Sequence, residues 1–291
     1  RGRGLNWYNL QYDLASAATS STEFTLTSGQ LYISNGVVSP SGVFQIYSEG
    51  SPAIVPTIDA NMAKLFALTS ANELSIRNVA IRGGRGAGGV IDNSQGLVNL
   101  TKVNMIDNVG TGGVGVVSND GGELTVRDSH FENNRAEGTS GRGGAINNSG
   151  IATISNTTFT NNYAIGEGGA ISNTGSLSLS DVTFDANTAD NMAGALYNTG
   201  TVNISGNTQF KNVLDSIYNT GTISIKSDET KLYAPILAGD TQGVINIDSG
   251  AILTLDAGSS IALSQKVNIY GTLNIADTAL MNLLLSKHSE W

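Results

Sequence analysis

Few residues of this sequence are of the types that carry out acid–base or metal chemistry. The 291 residues contain no cysteine and only two histidines, His130 and His288, so thiolate nucleophiles and thiolate metal sites are excluded. His130 comes directly before Phe131, which we expect in the core, and side chains alternate between the two faces of a strand. We therefore expect His130 on the surface, and we predict no catalytic residue, no metal site and no cofactor.

Carboxylate pairs are the remaining route to hydrolysis, because a glycosidase needs two of them about 5 to 10 Å apart. If the chain folds into repeating turns, acids in equivalent positions of neighbouring turns approach one another. The candidates lie in the middle of the chain: Asp107, Asp128, Asp181 and Asp185. Surface acids of any repeat protein are arranged in this way, so we favour a surface role and keep a carbohydrate-active enzyme as the alternative.

Residues suited to binding are concentrated in an unusually charged segment. Residues 135–142 include Arg135, Glu137 and Arg142, and guanidinium groups suit carboxylate or sulfate groups because their donors form a planar fork. Arg82 and Arg85 lie in the corresponding part of the chain about two repeats earlier. We predict that these five residues form a ligand-binding surface with a modest basic patch. The alternative is a solvated loop.

The overall charge limits the kinds of partner. Charged residues make up 13% of the chain and the formal net charge is −9, which disfavours nucleic acid and anionic membranes, because both attract clustered basic surfaces. The sequence has no apolar run of about 18 residues, so we expect no membrane-spanning helix. The N-terminal residues lack the apolar stretch of a signal peptide, and we expect the chain to be the mature part of a longer protein.

Internal repeats indicate how these residues are positioned. A glycine-rich phrase ends in asparagine in successive copies, and a glycine follows each asparagine within three residues. The asparagines are spaced 26, 29, 25, 25 and 21 residues apart: Asn93, Asn119, Asn148, Asn173, Asn198 and Asn219. The interval of 29 residues contains residues 135–142 and marks an enlarged repeat. Insertions in repeat proteins form loops that are often binding surfaces.

A second phrase, F-x-x-N, recurs in phase with the first. Its phenylalanines are Phe131, Phe159 and Phe184, with a degenerate copy at Phe210. Equivalent residues of stacked strands lie above one another at roughly 4.8 Å. We therefore predict a buried stack of these four rings and a structural asparagine ladder at one corner. The ladder is predicted to contain Asn148, Asn173, Asn198 and Asn219.

A period near 25 residues, with three short strands and no helical pattern, is typical of one coil of a β-solenoid. A propeller blade needs roughly 40 to 45 residues, which excludes that fold. We predict an all-β, single-stranded right-handed parallel β-helix, since parallel crossovers are right-handed. Residues 1–20 are predicted as an N-terminal cap or irregular first coil and residues 21–291 as the β-helix, with the clearest repeats in residues 88–222.

The paired repeats resemble those of the chlamydial-type polymorphic outer-membrane proteins. The G-G-A-I copies at residues 143–146 and 168–171 lie in phase with the F-x-x-N copies. The resemblance implies a secreted β-helical autotransporter passenger that adheres to host or neighbouring cells. It also implies attachment to the outer membrane through a segment outside this sequence.

We therefore predict a secreted, non-enzymatic adhesin on the bacterial cell surface, with a protein or glycan of a host or neighbouring cell as its partner. Motifs of pectate lyases and polygalacturonases, such as R-x-P-x-x-R and G-H-G, do not occur. Two alternatives stay open: a polysaccharide lyase or glycoside hydrolase of the same architecture, and a passive spacer. Nucleic acid and direct membrane insertion are not expected, and the oligomeric state is not predicted.

Overall fold

The computed structural model describes residues 23–276, except residues 30, 35, 50–54 and 213. This part of the chain consists of short β-strands joined by turns and bends, without a helix. The predicted N-terminal cap and His288 lie outside the described residues.

The largest element is a sheet of 20 strands that winds along one side of the molecule. Its strands are β1 (Glu23–Thr27), β2 (Leu31–Ile33), β3 (Val43–Glu49), β4 (Thr57–Asp59), β6 (Glu73–Arg82), β9 (Leu97–Ile106), β12 (Glu123–Arg127), β13 (His130–Glu132), β16 (Ile151–Ser155), β17 (Thr158–Thr160), β20 (Ser176–Ser180), β21 (Thr183–Asp185), β24 (Thr201–Ser205), β25 (Gln209–Phe210), β27 (Thr222–Ile225), β28 (Glu229–Leu232), β30 (Val244–Ile247), β31 (Ile252–Leu255), β32 (Lys266–Ile269) and β33 (Thr272–Ile275). We call it the long sheet.

Two smaller sheets form the other sides of the coils, and the shorter of them spans only five coils. The eight-stranded sheet contains β5 (Phe66–Leu68), β8 (Ile91–Ser94), β11 (Val117–Asp120), β15 (Ile146–Asn148), β19 (Ile171–Asn173), β23 (Leu196–Asn198), β26 (Ile217–Asn219) and β29 (Ile236–Leu237). The five-stranded sheet contains β7 (Arg85–Ala87), β10 (Val109–Thr111), β14 (Arg135–Ala136), β18 (Tyr163–Ala164) and β22 (Thr188–Ala189).

Each strand pairs in parallel with the equivalent strand of the next coil, as β16 does with β20 and β20 with β24. The described chain makes about ten right-handed turns of about 25 residues each, which confirms the predicted right-handed parallel β-helix. The central coils contain four strand segments rather than the predicted three. The additional segment arises because the long sheet takes two segments from each coil, such as β16 and β17.

The bends between strand segments use residues in the left-handed backbone region. Asp107, Asp128 and Asp181 have φ angles of 55°, 52° and 56°. Aspartate and asparagine tolerate this region better than other residues with a side chain, because their short polar groups can bond to nearby backbone. The backbone conformation of the bends therefore explains why aspartate occurs at three of the four positions that the sequence analysis considered for catalysis.

The core contains the phenylalanine stack. Phe131, Phe159, Phe184 and Phe210 are fully buried and lie in register on the inner face of successive coils. Neighbouring ring centroids are 5.0, 5.1 and 4.7 Å apart, with interplanar angles of 15° or less. Stacked rings at this spacing are in van der Waals contact, as expected in a close-packed core.

The first asparagine ladder lies at the corner where the eight-stranded sheet turns into the long sheet. Each buried side-chain amide donates from Nδ2 to Oδ1 of the next asparagine at 2.7 or 2.8 Å, from Asn93 through Asn119, Asn148, Asn173 and Asn198 to Asn219. Asn219 then donates to Oε1 of Gln265 at 3.0 Å. At the other end, Asn93 follows Leu68 in the register, and its Oδ1 is buried without a partner among the described residues.

A second asparagine ladder, which the sequence analysis did not predict, is built from the final residue of three F-x-x-N phrases and from Asn108, the equivalent residue one coil earlier. Asn108 donates to Asn134, Asn134 to Asn162 and Asn162 to Asn187 at distances of 3.2, 3.0 and 2.9 Å. Each acceptor oxygen also receives the backbone N–H of the preceding asparagine in the ladder. The regular spacing of the repeated phrase thus places these asparagines where their amides connect one coil to the next.

Candidate functional site

The candidate site begins with a column of outward side chains on the five-stranded sheet. The same register position is occupied in five successive coils by Arg85, Val109, Arg135, Tyr163 and Thr188. Their strand neighbours Gly110, Ala136 and Ala164 are buried. Small residues on the inner face let this sheet lie close to the core, and alternation directs the long polar side chains outward.

Glu137 joins the two arginines of this column. Its carboxylate forms an ion pair with Arg85 and a second with Nε of Arg135 at 3.2 Å. The guanidinium of Arg135 also lies 4.4 Å from the ring centroid of Tyr163, within the range of a cation–π interaction. One acid thus links residues that are 50 positions apart in the sequence.

Tyr163 extends the column toward Asp190. Its hydroxyl donates to Oδ2 of Asp190 at 2.5 Å, and this hydrogen bond is the main cause that raises the pKa of the Tyr163 phenol above 10. Burial and the charge of Asp190 act in the same direction, whereas Arg135 lowers the pKa. We call Arg85, Arg135, Glu137, Tyr163 and Asp190 the Arg–Tyr cluster. Its formal charge is zero.

The enlarged coil lies beside this cluster. Nine residues (137–145) separate β14 from β15, whereas six (165–170) separate β18 from β19. Residues 138–140 are exposed at the tip of this longer loop. Arg142, at the base of the loop, pairs through Nε with Glu167 of the next coil at 2.7 Å.

Two tyrosines of the eight-stranded sheet lie near this ion pair. Tyr197 and Tyr218 stack with centroids 5.1 Å apart and an interplanar angle of 4°. Burial raises the pKa of Tyr197, and the charge of Glu167 raises it further, whereas Arg142 lowers it. Arg142 and Glu167 each lie four residues before a strand of the eight-stranded sheet, β15 and β19 respectively.

The four arginines singled out in the sequence are only partly brought together. Arg85 and Arg135 meet at Glu137, and Arg142 lies on the adjacent loop. Arg82 is on the long sheet and faces Asp59, with Nε 3.6 Å from Oδ2. Because each arginine faces a carboxylate, the predicted basic patch is a charge-balanced surface. Its remaining chemistry is that of half-exposed arginine and tyrosine side chains.

The residues considered for catalysis lie elsewhere. His130 is half-buried on the long sheet, where it contacts Thr158 and the carboxylate of Glu132. Asp128 accepts a hydrogen bond from Asn156 at 2.6 Å, and Asp181 accepts the backbone N–H of Asn207 at 3.0 Å. Both acids therefore bond to the equivalent bend of the next coil.

The described residues contain no cluster of three or more histidine, aspartate or glutamate side chains suited to a metal ion. A helix long and apolar enough to cross a membrane was likewise not found among them.

The sequence analysis missed Tyr163, Glu167, Asp190, Tyr197 and Tyr218. The signal for Tyr163 was present, because it follows the last asparagine of an F-x-x-N phrase, as Arg135 does. Aligning the residue after each phrase gives three members of the outward column: Arg135, Tyr163 and Thr188. Asp190 and Glu167 lie on loops, and their contacts depend on loop conformation rather than on the repeat.

Two shallow grooves lie outside this cluster. One, of about 330 Å³, is on the outer face of the long sheet and is lined by residues that include Gln45, Tyr47 and Arg77. The other, of about 460 Å³, is at the corner that carries the first asparagine ladder. Neither groove is lined by an arginine of the predicted site.

Comparisons with known proteins concern mainly the architecture. The family model described as the right-handed β-helix region matches residues 58–232, more than half of the chain. No curated protein matches significantly. Similar solved structures include two of PfbA from Streptococcus pneumoniae. One, described as a surface protein and adhesin, is 12% identical with a TM-score of 0.39, and the match covers 97% of this chain and 95% of that chain. The other, described as a surface adhesin, is 10% identical with a TM-score of 0.38, and the match covers 96% and 90%. Similarity at this level does not indicate a function.

Proposed function

The chain belongs to the right-handed β-helix family, and from that premise we propose that it is a secreted, non-enzymatic adhesin of a bacterial cell surface. A stack of coils offers a long continuous outer surface, and insertions in one coil give that surface a distinct place for recognition. In this chain the enlarged coil lies next to the Arg–Tyr cluster.

The observation that carries the proposal is the contact between the Arg135 guanidinium and the half-exposed Tyr163 ring. Arginine and tyrosine are enriched in protein interfaces and among the residues that contribute most to binding. The ion pair with Glu137 and the hydrogen bond to Asp190 hold both side chains in place before a partner arrives. Side chains that are ordered in advance lose less conformational entropy on binding.

The same surface suits a glycan. Sugars present hydroxyl groups that pair with carboxylates, and the cluster offers Glu137 and Asp190 beside an aromatic ring. It also suits the carboxylate or sulfate of an acidic partner, which would have to compete with Glu137 for Arg85 and Arg135. We therefore propose a protein or glycan of another cell as the partner.

We also propose that the chain is an autotransporter passenger attached to the outer membrane by a segment outside this sequence. This proposal is supported by the paired G-G-A-I and F-x-x-N repeats. In the structure the repeated phenylalanines and asparagines serve the packing of the coils, so they support the β-helix itself, whereas the passenger role rests on the resemblance. The membrane attachment depends on the resemblance alone.

The adhesin is tested by flow cytometry of fluorescently labelled protein on cultured epithelial cells. We expect saturable binding, and we expect the double variant Arg135→Ser with Tyr163→Ser to bind about 10-fold or more weakly, because truncated interface anchors often cost more than 1 kcal/mol each. The quadruple variant with Arg82, Arg85, Arg135 and Arg142 changed to serine should also lose binding.

The matched control is Thr153→Ala with Ser178→Ala, two outward positions of the long sheet. Circular dichroism should show that all variants keep the fold. Unaltered binding by the double variant would contradict the assignment of the surface. Absence of saturable binding by the unmodified protein would contradict the adhesin and favour a passive spacer.

A further inference from the structure

A column of alternating apolar and acidic side chains runs along the corner where the long sheet begins. Its members are in register in five successive coils: Val43, Glu73, Leu97, Glu123 and Ile151. Val43 and Ile151 are unusually exposed for apolar residues, at 45% and 57%. At roughly 4.8 Å per strand, the column is about 19 Å long.

The turns before these strands form a wall on one side of the column. We count the residues between the ladder position of each coil and the next strand of the long sheet. Four residues (69–72) follow the ladder position before Glu73, and three follow it before both Leu97 (94–96) and Glu123 (120–122). Only two residues (149–150) precede Ile151, and the next three coils keep this short turn. The wall therefore ends at Ile151, and the column and the three longer turns enclose the groove of about 460 Å³. We call it the corner groove.

The asparagine ladder requires glycine at two positions of this corner. A Cβ atom at Gly96 would lie 2.8 Å from Oδ1 of Asn93, and one at Gly122 would lie 2.5 Å from Nδ2 of Asn93. The ladder amides therefore exclude side chains at both positions. Gly96 and Gly122 both line the corner groove with backbone atoms alone.

The lining of the corner groove includes two carboxylates and neither lysine nor arginine. Within the described residues, Glu73 accepts only long contacts of 3.4 to 3.5 Å from Ser75 and Asn99, and neither it nor Glu123 forms an ion pair. A ligand that complements this groove carries positive charges together with apolar surface.

We propose that the corner groove binds a basic, proline-rich peptide in the polyproline II conformation, lying along the helix axis. Glu73 and Glu123 are two coils apart, which is about 9.6 Å. A polyproline II helix has three residues per turn and repeats about every 9.3 Å. Lysine or arginine side chains at positions i and i+3 lie on one face of this helix and therefore face both glutamates.

Other peptide conformations fit this spacing less well. Side chains on one face of an extended strand repeat about every 6.7 Å, which matches neither one coil nor two. A polyproline II peptide also has no internal hydrogen bonds and loses little conformational freedom on binding. The groove is on a different face from the Arg–Tyr cluster, so this proposal goes beyond the proposed adhesin and can be tested separately.

The test measures fluorescence anisotropy of a labelled peptide, Pro-Pro-Lys-Pro-Pro-Lys-Pro-Pro, with the complete chain. We expect Glu73→Gln and Glu123→Gln each to weaken binding by about 3- to 5-fold, as expected for exposed ion pairs, and added salt to weaken it further. Ile151→Thr should weaken binding by about 3-fold. This change should keep the fold, because threonine occupies the equivalent position at Thr201 and Thr222.

The matched control variant is Glu132→Gln, which removes a half-exposed acid elsewhere on the long sheet and should bind as the unmodified chain does. The control peptide has the same composition with its lysines adjacent, Pro-Pro-Pro-Lys-Lys-Pro-Pro-Pro, and should bind several-fold more weakly. Equal binding of both peptides, equal losses in the Glu132→Gln control, or no binding of the spaced peptide would each overturn the proposal.

Two other occupants are distinguished by the same materials. A strand-forming peptide with lysines at i and i+2 that binds more tightly than the proline-rich peptide would assign the groove to an extended strand. A self-association of the free chain in analytical ultracentrifugation that Ile151→Thr abolishes would assign it to a second copy of the chain. Either result would overturn the proposal.

Discussion

Replacing one rung of the first asparagine ladder by its isosteric acid tests whether the amides stabilise the coils. Asn173 is completely buried near the middle of the ladder. Its Oδ1 accepts from Asn148 at 2.7 Å, and its Nδ2 donates to Asn198 Oδ1 at 2.8 Å and to the carbonyl of Thr201 at 3.2 Å. In Asn173→Asp a second acceptor takes the place of Nδ2 and faces these oxygens.

The free energy of unfolding that Asn173→Asp is expected to lose is large and depends on pH. A buried charge without a partner costs about 3 to 5 kcal/mol, and burial raises the pKa of such a carboxyl above its unfolded value of about 3.9. When the folded pKa is raised, the unfolded state loses its proton first as the pH rises. The destabilisation therefore grows above about pH 4 and levels off above the folded pKa.

The measurement is urea unfolding followed by far-ultraviolet circular dichroism at about pH 4 and about pH 8. Asn173→Ala is the first control, and its loss of about 1 to 3 kcal/mol from unsatisfied buried groups should be the same at both values of pH. Asn203→Asp is the second, because Asn203 is half-exposed on the outer face of the long sheet, and its effect should be below about 1 kcal/mol. An acid variant no less stable than the alanine variant at pH 8, or equally destabilised at both pH values, would refute the reasoning.

Three further predictions concern the core, the cluster and the proposed absence of catalysis. Phe184→Ala should lower the free energy of unfolding by about 3 to 5 kcal/mol, because Phe184 is fully buried between two stacked rings. The control Thr183→Ala, at the neighbouring position, should lower it by less than about 1 kcal/mol. A loss of less than about 1 kcal/mol in Phe184→Ala would show that the core tolerates the cavity. In ultraviolet titration, Tyr163 should ionise above pH 10 in the unmodified chain and at lower pH in Asp190→Asn, because the hydrogen bond to Asp190 raises its pKa, and an unchanged titration would contradict that cause. The purified chain should release no product from pectin, polygalacturonate or a glycosaminoglycan, and steady release that a point mutation abolishes would assign the enzyme instead.

The coil and its core could be predicted from the sequence because both follow from repetition. Strand alternation and the F-x-x-N spacing were sufficient to place Phe131, Phe159, Phe184 and Phe210 on one inner face. The second asparagine ladder was missed, although its residues are part of the same phrase. A repeated polar residue three positions after a core residue does not by itself indicate whether its side chain faces the interior or solvent.

The contacts of the Arg–Tyr cluster could not be predicted, because they join residues of different coils through side chains and loops. The sequence separation of Arg85 and Glu137 gives no indication that a single carboxylate joins Arg85 to Arg135. Charge counting suggested a basic patch, since Arg85, Arg135 and Arg142 are close in register. The acids that balance them are also distributed over several coils, and only the fold brings each acid to its arginine.

The first asparagine ladder gives the molecule a row of aligned side-chain dipoles along the axis of the β-helix. All five amide–amide bonds from Asn93 to Asn219 point the same way, with the N–H group toward the C-terminal coils, so the amide dipoles add head to tail. The unpartnered Oδ1 of Asn93 is the negative end of this row. An α-helix has its positive end at the N-terminus, and this row of side chains has the opposite polarity.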